Sequence, residues 1–176
     1  MRHPADTTGE QARTRTVTWD DPMISASQAG KTSGIEFLEK IVSGAISSPP
    51  IAKVLGFRLA KAEKGFAVFE FEPSEFHYNP IGVVHGAMAG MLLDSTMGCS
   101  VQTTLPAGMG YTTLEFKVNL VRPITMKTGL MRAEGRALHV GARVATAEGK
   151  LIDAAGKVYA HGTTTCLIFP VSGERA

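Results

Sequence analysis

Hydrophobic and polar positions divide this chain into a polar first stretch and a patterned remainder. Residues 1–33 are rich in Thr, Ser, Gly, Asp and Arg and show no sustained period. That composition predicts a flexible arm, with Trp19 and Met23 as its candidate anchors. From Ser33 the pattern turns helical. Ile35, Phe37, Leu38, Ile41 and Val42 repeat at helical spacing, and Glu36 stands three residues after Ser33, as in a capping box. The Pro49-Pro50 pair ends that helix, and a second short one is predicted over residues 51–55.

Strand patterns follow. Residues 57–62 and 66–72, with the alternation Val68-Phe69-Glu70-Phe71-Glu72, predict a hairpin turning near Lys64-Gly65. A loop over 73–84 leads into the most apolar segment, residues 85–105. After Pro106-Ala107-Gly108 come four strand candidates, 111–121, 128–139, 142–153 and 157–168, separated or opened by Gly129, Gly141 and Gly156. The ordered domain is thus expected over 34–170, with a short tail at 171–176. A helix, two strands, one long apolar helix and four strands in succession favour an α+β fold, an antiparallel sheet wrapped around one buried helix.

The long helix carries the first chemical signal. Met88, Met91, Leu92, Leu93, Met97, Cys99 and Val101 are interspersed with Gly, Ala and Ser, so every face is apolar or small, as in a buried helix. Within it, Asp94 is the only formally charged side chain between Glu75 and Glu115. A carboxylate there is costly unless it is paired, hydrogen-bonded or used in chemistry, for instance as a general base. Its structural alternative is to face solvent or to accept a hydrogen bond from Thr96, Thr112 or Thr113.

Just upstream runs Asn79-Pro80-Ile81-Gly82-Val83-Val84-His85-Gly86. Gly86 falls at the helix start, where free N–H groups and the positive end of the helix dipole polarise an oxygen. Such a terminus suits the oxyanion of a thioester reaction, and glycine lets a ligand approach closely. His85 and Asp94, nine residues apart, stand roughly 13 Å along a helix and on opposite faces. Two helices packed antiparallel about a two-fold axis would bring Gly86 of one chain near Asp94 of the other, which predicts an intersubunit site and an obligate dimer.

Composition narrows the classes. A hydrophobic share of 44% and a charged share of 19% are ordinary for a globular protein, and a net charge of +2 offers no footprint for nucleic acid. Cys99 and Cys166 lie in apolar stretches without metal-ligand spacing and are expected to be reduced thiols. No apolar run is long enough for a membrane span, and the polar start lacks a signal-peptide core, so the expected location is cytoplasmic.

Taken together, the run Asn79-x-x-Gly82-x-x-His85-Gly86-x7-Asp94, then Gly110-Tyr111-Thr112-Thr113 and the closing Ala160-His161-Gly162-Thr163-Thr164-Thr165, resembles the hotdog-fold thioesterases of the phenylacetate-pathway PaaI type. The resemblance spans residues 34–170. It implies a five- or six-stranded sheet around a long helix, dimers often paired into homotetramers, and hydrolysis of aryl- or acyl-CoA thioesters without metal or organic cofactor. It also implies that Asp94 activates water or attacks the thioester directly, and that Gly86 donates its N–H to the carbonyl. By the same resemblance Asn79 positions substrate or water, His85 shapes the site and Thr113 holds the nucleophilic water. One departure is Gly86-Ala87 where many members carry Gly-Gly.

Thr112, Arg143 after Gly141, and Tyr78 with His77 complete the candidate substrate-binding set, Arg143 towards CoA phosphates. Each has a plainer role open to it: Asn79 as a turn with Pro80, His85 as a residue bonding backbone, Thr113 as a strand threonine, Arg143 as a solvated charge. Two other functions compete with hydrolysis. A hotdog hydratase or dehydratase places Asp before His at a short gap, the reverse of the order here. A non-catalytic acyl-CoA-binding module lacks the carboxylate and adds a DNA-binding segment, for which residues 1–33 show neither helix-turn-helix periodicity nor a basic patch.

Overall fold

Ser33 caps the first long helix as its spacing with Glu36 predicts, the Ser33 side chain accepting from Glu36 N–H and the Glu36 carboxylate accepting from Ser33 N–H. The computed structural model describes residues 12–171, so 1–11 of the arm and 172–176 of the tail lie outside the described residues. In chain order the elements are α1 (Pro22–Ala26), α2 (Gly34–Val42), α3 (Pro50–Leu55), β1 (Phe57–Glu63), β2 (Phe66–Phe71), α4 (Gly86–Gln102), β3 (Met109–Leu120), β4 (Met131–Val140), β5 (Val144–Asp153) and β6 (Val158–Pro170). The strand expected from residue 128 begins later because Met126–Thr128 form a 3-10 turn, its end closed by Gly129.

The six strands of the described residues form one antiparallel sheet in the order β1-β2-β4-β5-β6-β3. The chain leaves β2 near one edge, crosses the concave face as α4, and returns at the opposite edge as β3. This is the α+β architecture expected, one sheet wrapped around one helix. Alternation explains it: along β4, Met131, Ala133 and Gly135 are buried while Arg132 and Arg136 are exposed. The inward set meets Leu92, Leu93, Met97 and Val101 of α4, all fully buried.

The helix sits unusually close to the strands. Thr96 Oγ1 lies 3.0 Å from both the Ala67 and the Ala133 carbonyl oxygens, so it bonds the helix to two adjacent strands. Opposite it, a Cβ on Gly135 would stand 2.4 Å from the Thr96 carbonyl oxygen. Only a missing side chain permits that approach.

The arm is held differently from the expectation. Trp19 and Met23, the anchors expected for it, are both exposed. Instead the Arg15 guanidinium donates to the Val54 and Lys53 carbonyls at the end of α3 and lies 4.0 Å from the centre of the Phe76 ring. Guanidinium groups stack on aromatic faces and satisfy helix-end carbonyls at once, which a Trp on a polar segment does not.

Candidate active site

Asp94 stands midway along α4, partly buried, and accepts a hydrogen bond from Thr113 Oγ1 at 2.9 Å on its Oδ1. Of the three threonines able to reach it on paper, Thr96 is committed to the sheet and Thr112 is exposed on the other side of β3. The pairing of β3 with β6 shifts register between Thr113 and Glu115, which makes Leu114 the extra residue of a bulge. Bulges re-aim neighbouring side chains, and this one adjoins the carboxylate's partner. Asp94 also acts on its surroundings. Burial, with the Asp94 charge second, pushes the Cys99 thiol up to about 12, and burial raises the Tyr111 hydroxyl well above the usual phenol range. Both are neutral groups beside an acidic one. Cys99 and Cys166 are free thiols.

The start of α4 is the second feature. His85 is its cap: Nδ1 accepts from Ala87 N–H at 3.0 Å, which leaves the proton on Nε2 of the exposed ring. The Gly86 N–H makes no hydrogen bond among the described residues. A Cβ at Gly86 would come within 2.5 Å of Leu120 Cδ1, so the strand end lies directly over the helix start. Beside it is a cleft of about 320 Å³ lined by Asn79, Gly86, Leu120, Arg122 and Ile124, among others. Asn79 Oδ1 accepts from Ile81 N–H at 3.1 Å and Val83 N–H at 3.3 Å, so it closes the loop that delivers Gly86. Arg122, whose guanidinium bonds the Val158 carbonyl, adds a cation that the sequence reading passed over. Its signal was slight, a single Arg-Pro after a strand.

The remaining candidates disperse. His77 is buried, with Nδ1 accepting from Ser74 N–H and Nε2 donating to the Leu55 carbonyl, both at 2.9 Å, and burial holds its pKa below the ordinary imidazole value. The Tyr78 hydroxyl accepts from Met126 N–H. Gly141 closes the β4–β5 turn through Val144, and Arg143 is exposed at the same turn. Within one chain, Gly86 and Asp94 stay roughly 12 Å apart along the helix. The chain therefore carries a polarising terminus and a held carboxylate that it does not itself join.

Comparison with known proteins adds the family context. The thioesterase superfamily matches residues 81–160, which include both features. SSO2140 of Saccharolobus solfataricus, named as an esterase, is 34% identical over 108 residues, 61% of this chain and 75% of that protein. The 1,4-dihydroxy-2-naphthoyl-CoA hydrolase of Listeria monocytogenes is 24% identical over 61% of this chain and 86% of its own length. Among solved structures, the phenylacetic acid degradation-related protein of Ralstonia eutropha JMP134 is similar at a TM-score of 0.66, with 28% identity, 74% of this chain and 98% of that one covered.

Proposed function

This chain belongs to the thioesterase superfamily and is a thioester hydrolase, and from that premise we propose that it hydrolyses an aryl- or medium-chain acyl-CoA with Asp94 as general base. The observation that carries the reading is the Thr113–Asp94 hydrogen bond in a segment free of other charge. By occupying Oδ1, Thr113 fixes the carboxylate and leaves Oδ2 to take a proton from water. That water attacks the thioester carbon. The carbonyl oxygen becomes an oxyanion facing the unpaired Gly86 N–H and the positive end of a 17-residue helix. The tetrahedral adduct then collapses, the C–S bond breaks, and CoA leaves as a thiol with the proton Asp94 had taken. The acyl-CoA reading is supported by the Listeria relative, which is named as a CoA hydrolase.

The site is shared by two copies. Among the described residues strand β3 pairs only with β6, and its side chains Leu114, Phe116 and Leu120 are 58%, 45% and 57% exposed. A twelve-residue edge with that much apolar surface calls for a partner. Joining β3 to its copy about a two-fold axis sets the two α4 helices antiparallel, Gly86 of one opposite Asp94 of the other. Arg122, which lines the cleft beside the helix start, offers a cation for a CoA phosphate.

Thiol release from a panel of acyl-CoAs, run on wild type beside Asp94→Asn, tests the chemistry. Turnover in the variant should fall about 10²–10⁴-fold with the fold intact. Retained turnover removes Asp94 from the mechanism. On a sizing column with light scattering the active species should be a dimer or larger. An active monomer rules out the shared site.

A further inference from the structure

The end of α3 is closed from two directions. Of its last four carbonyls, Ala52 accepts from Gly56 N–H, Lys53 and Val54 from the Arg15 guanidinium, and Leu55 from His77 Nε2. Arg15 and His77 are also joined through a ring. The guanidinium lies 4.0 Å from the centre of Phe76, and the centroids of Phe76 and His77 are 4.0 Å apart. His77 in turn meets the buried Phe71 close to edge-on, at 4.8 Å between centroids. Ring contacts thus run from Arg15 through Phe76 and His77 to Phe71, from the arm to strand β2. Arg13 grips the same short turn, its Nε 3.1 Å from the Glu75 carboxylate. From His77 the path continues to the helix start. The His77 carbonyl accepts His85 N–H at 2.8 Å, and His85 caps α4 one residue before Gly86.

We propose that Arg15 is a positioning residue for the hydrolysis. By clamping the end of α3 and the Phe76 ring it fixes His77, and through the His77 carbonyl it fixes the helix start that presents the Gly86 N–H. The inference rests on the reading of that N–H as the donor to the oxyanion. The residue type matters. A guanidinium is planar and carries five donors, so one group stacks on a ring and bonds two carbonyls at once; an ammonium offers no such plane. The need for a clamp follows from the chemistry. A donor displaced by part of an ångström loses much of its hold on the transition state. His85 hangs from a three-residue 3-10 turn, Glu75–His77, which has few bonds of its own to hold it. Contacts from outside must supply the rigidity, and Arg15 supplies them from a segment whose sequence shows no period. The arm is thereby part of the working site, acting through the fold and not on the substrate.

The test is steady-state kinetics of the full chain on the acyl-CoA that wild type hydrolyses best, at a temperature where thermal melts show every variant folded. Arg15→Ala should lower kcat about tenfold and leave KM within about twofold, the pattern of an interaction lost only in the transition state. Asp20→Ala cuts a different tie of the same arm, the bond from the Ser47 hydroxyl, and should keep the wild-type kcat. In a His77→Gln background Arg15→Ala should cost no more than about twofold, because the path is already broken. If His77→Gln fails to fold, Phe76→Leu breaks the path in its place. An unchanged kcat in Arg15→Ala overturns the proposal, as does a rise in KM alone. An equal loss in Asp20→Ala, or the full loss added to that of His77→Gln, overturns it as well. Gly86→Ala separates this inference from the reading it rests on. If Gly86→Ala loses turnover while Arg15→Ala keeps it, the inference falls and the oxyanion reading stands. If Gly86→Ala keeps full turnover, the oxyanion reading falls and takes the inference with it.

Discussion

The two halves of α4 are built on opposite terms. From Thr96 onward the helix is fastened to the sheet: Thr96 bridges two strand carbonyls, and Gly135 admits the helix backbone at a distance no side chain would allow. Met97 and Val101 are fully buried there. The first half is fastened on one face only, through Met88, Ala89, Leu92 and Leu93. Its other face, with Gly86 and Gly90, looks towards Leu120 and Phe116, which are themselves half-exposed. Asp94 lies at the junction. The difference teaches how a small fold makes a site: one half of an element supplies rigidity, and the other leaves the Gly86 N–H unspent on structure. A preorganised N–H is worth more to an oxyanion than one that must first be freed.

The same substitution in the two places should break the comparison open. Gly135→Ala puts a methyl against the Thr96 carbonyl, backbone against strand, with no flexible tip to give way. It should cost about 1–3 kcal/mol, which for a chain of this size lowers Tm by roughly 3–10 °C. The folded fraction should keep its kcat/KM. Gly86→Ala meets only the end of the Leu120 side chain, which can swing aside. Its Tm should move by less than about 2 °C, while turnover drops roughly 10–100-fold as the methyl crowds the N–H. Thermal melts beside acyl-CoA kinetics read both. Were Gly86→Ala to lose stability and keep activity, the open half would be structural after all.

Most of this frame was legible from local pattern. The Ser33–Glu36 cap, the Lys64-Gly65 turn and the helix starting after His85 are all set by neighbours within four residues, where sequence speaks directly. The Asp94 signal was legible too, as a lone charge in an apolar run. What escaped depends on distant parts of the chain. His77 and His85 look alike in sequence, yet one is locked by Leu55 and Ser74 and the other keeps Nε2 free. Asn79 was weighed as a site residue or a turn, and its carboxamide oxygen closes a loop while its edge still lines the cleft. Choosing Thr113 over Thr96 and Thr112 as the partner of Asp94 needed the strand's facing and the bulge at Leu114. The Arg15 clasp on α3 spans nearly forty residues and leaves no periodic trace.

His77 offers the finest test of how firmly the open half is held. Its carbonyl accepts the His85 N–H at 2.8 Å, so the residue that caps α4 hangs from it. Its ring is kept neutral chiefly by burial, against the pull of its bond to the Leu55 carbonyl, with the nearby Arg15 charge acting in the same direction as burial. The folded-state pKa therefore lies below the ordinary 6.5, and the unfolded chain binds the proton more readily. The stability this contributes is complete above the ordinary value and drains as pH falls below it towards the folded-state pKa. Wild-type Tm should accordingly decline between about pH 7.5 and pH 5 more steeply than that of His77→Gln, which has no proton to gain. Equal slopes would mean that the ring is not sheltered. A steeper wild-type slope with kcat falling in step would show that loosening His77 loosens the helix start, and with it the N–H that Gly86 holds out.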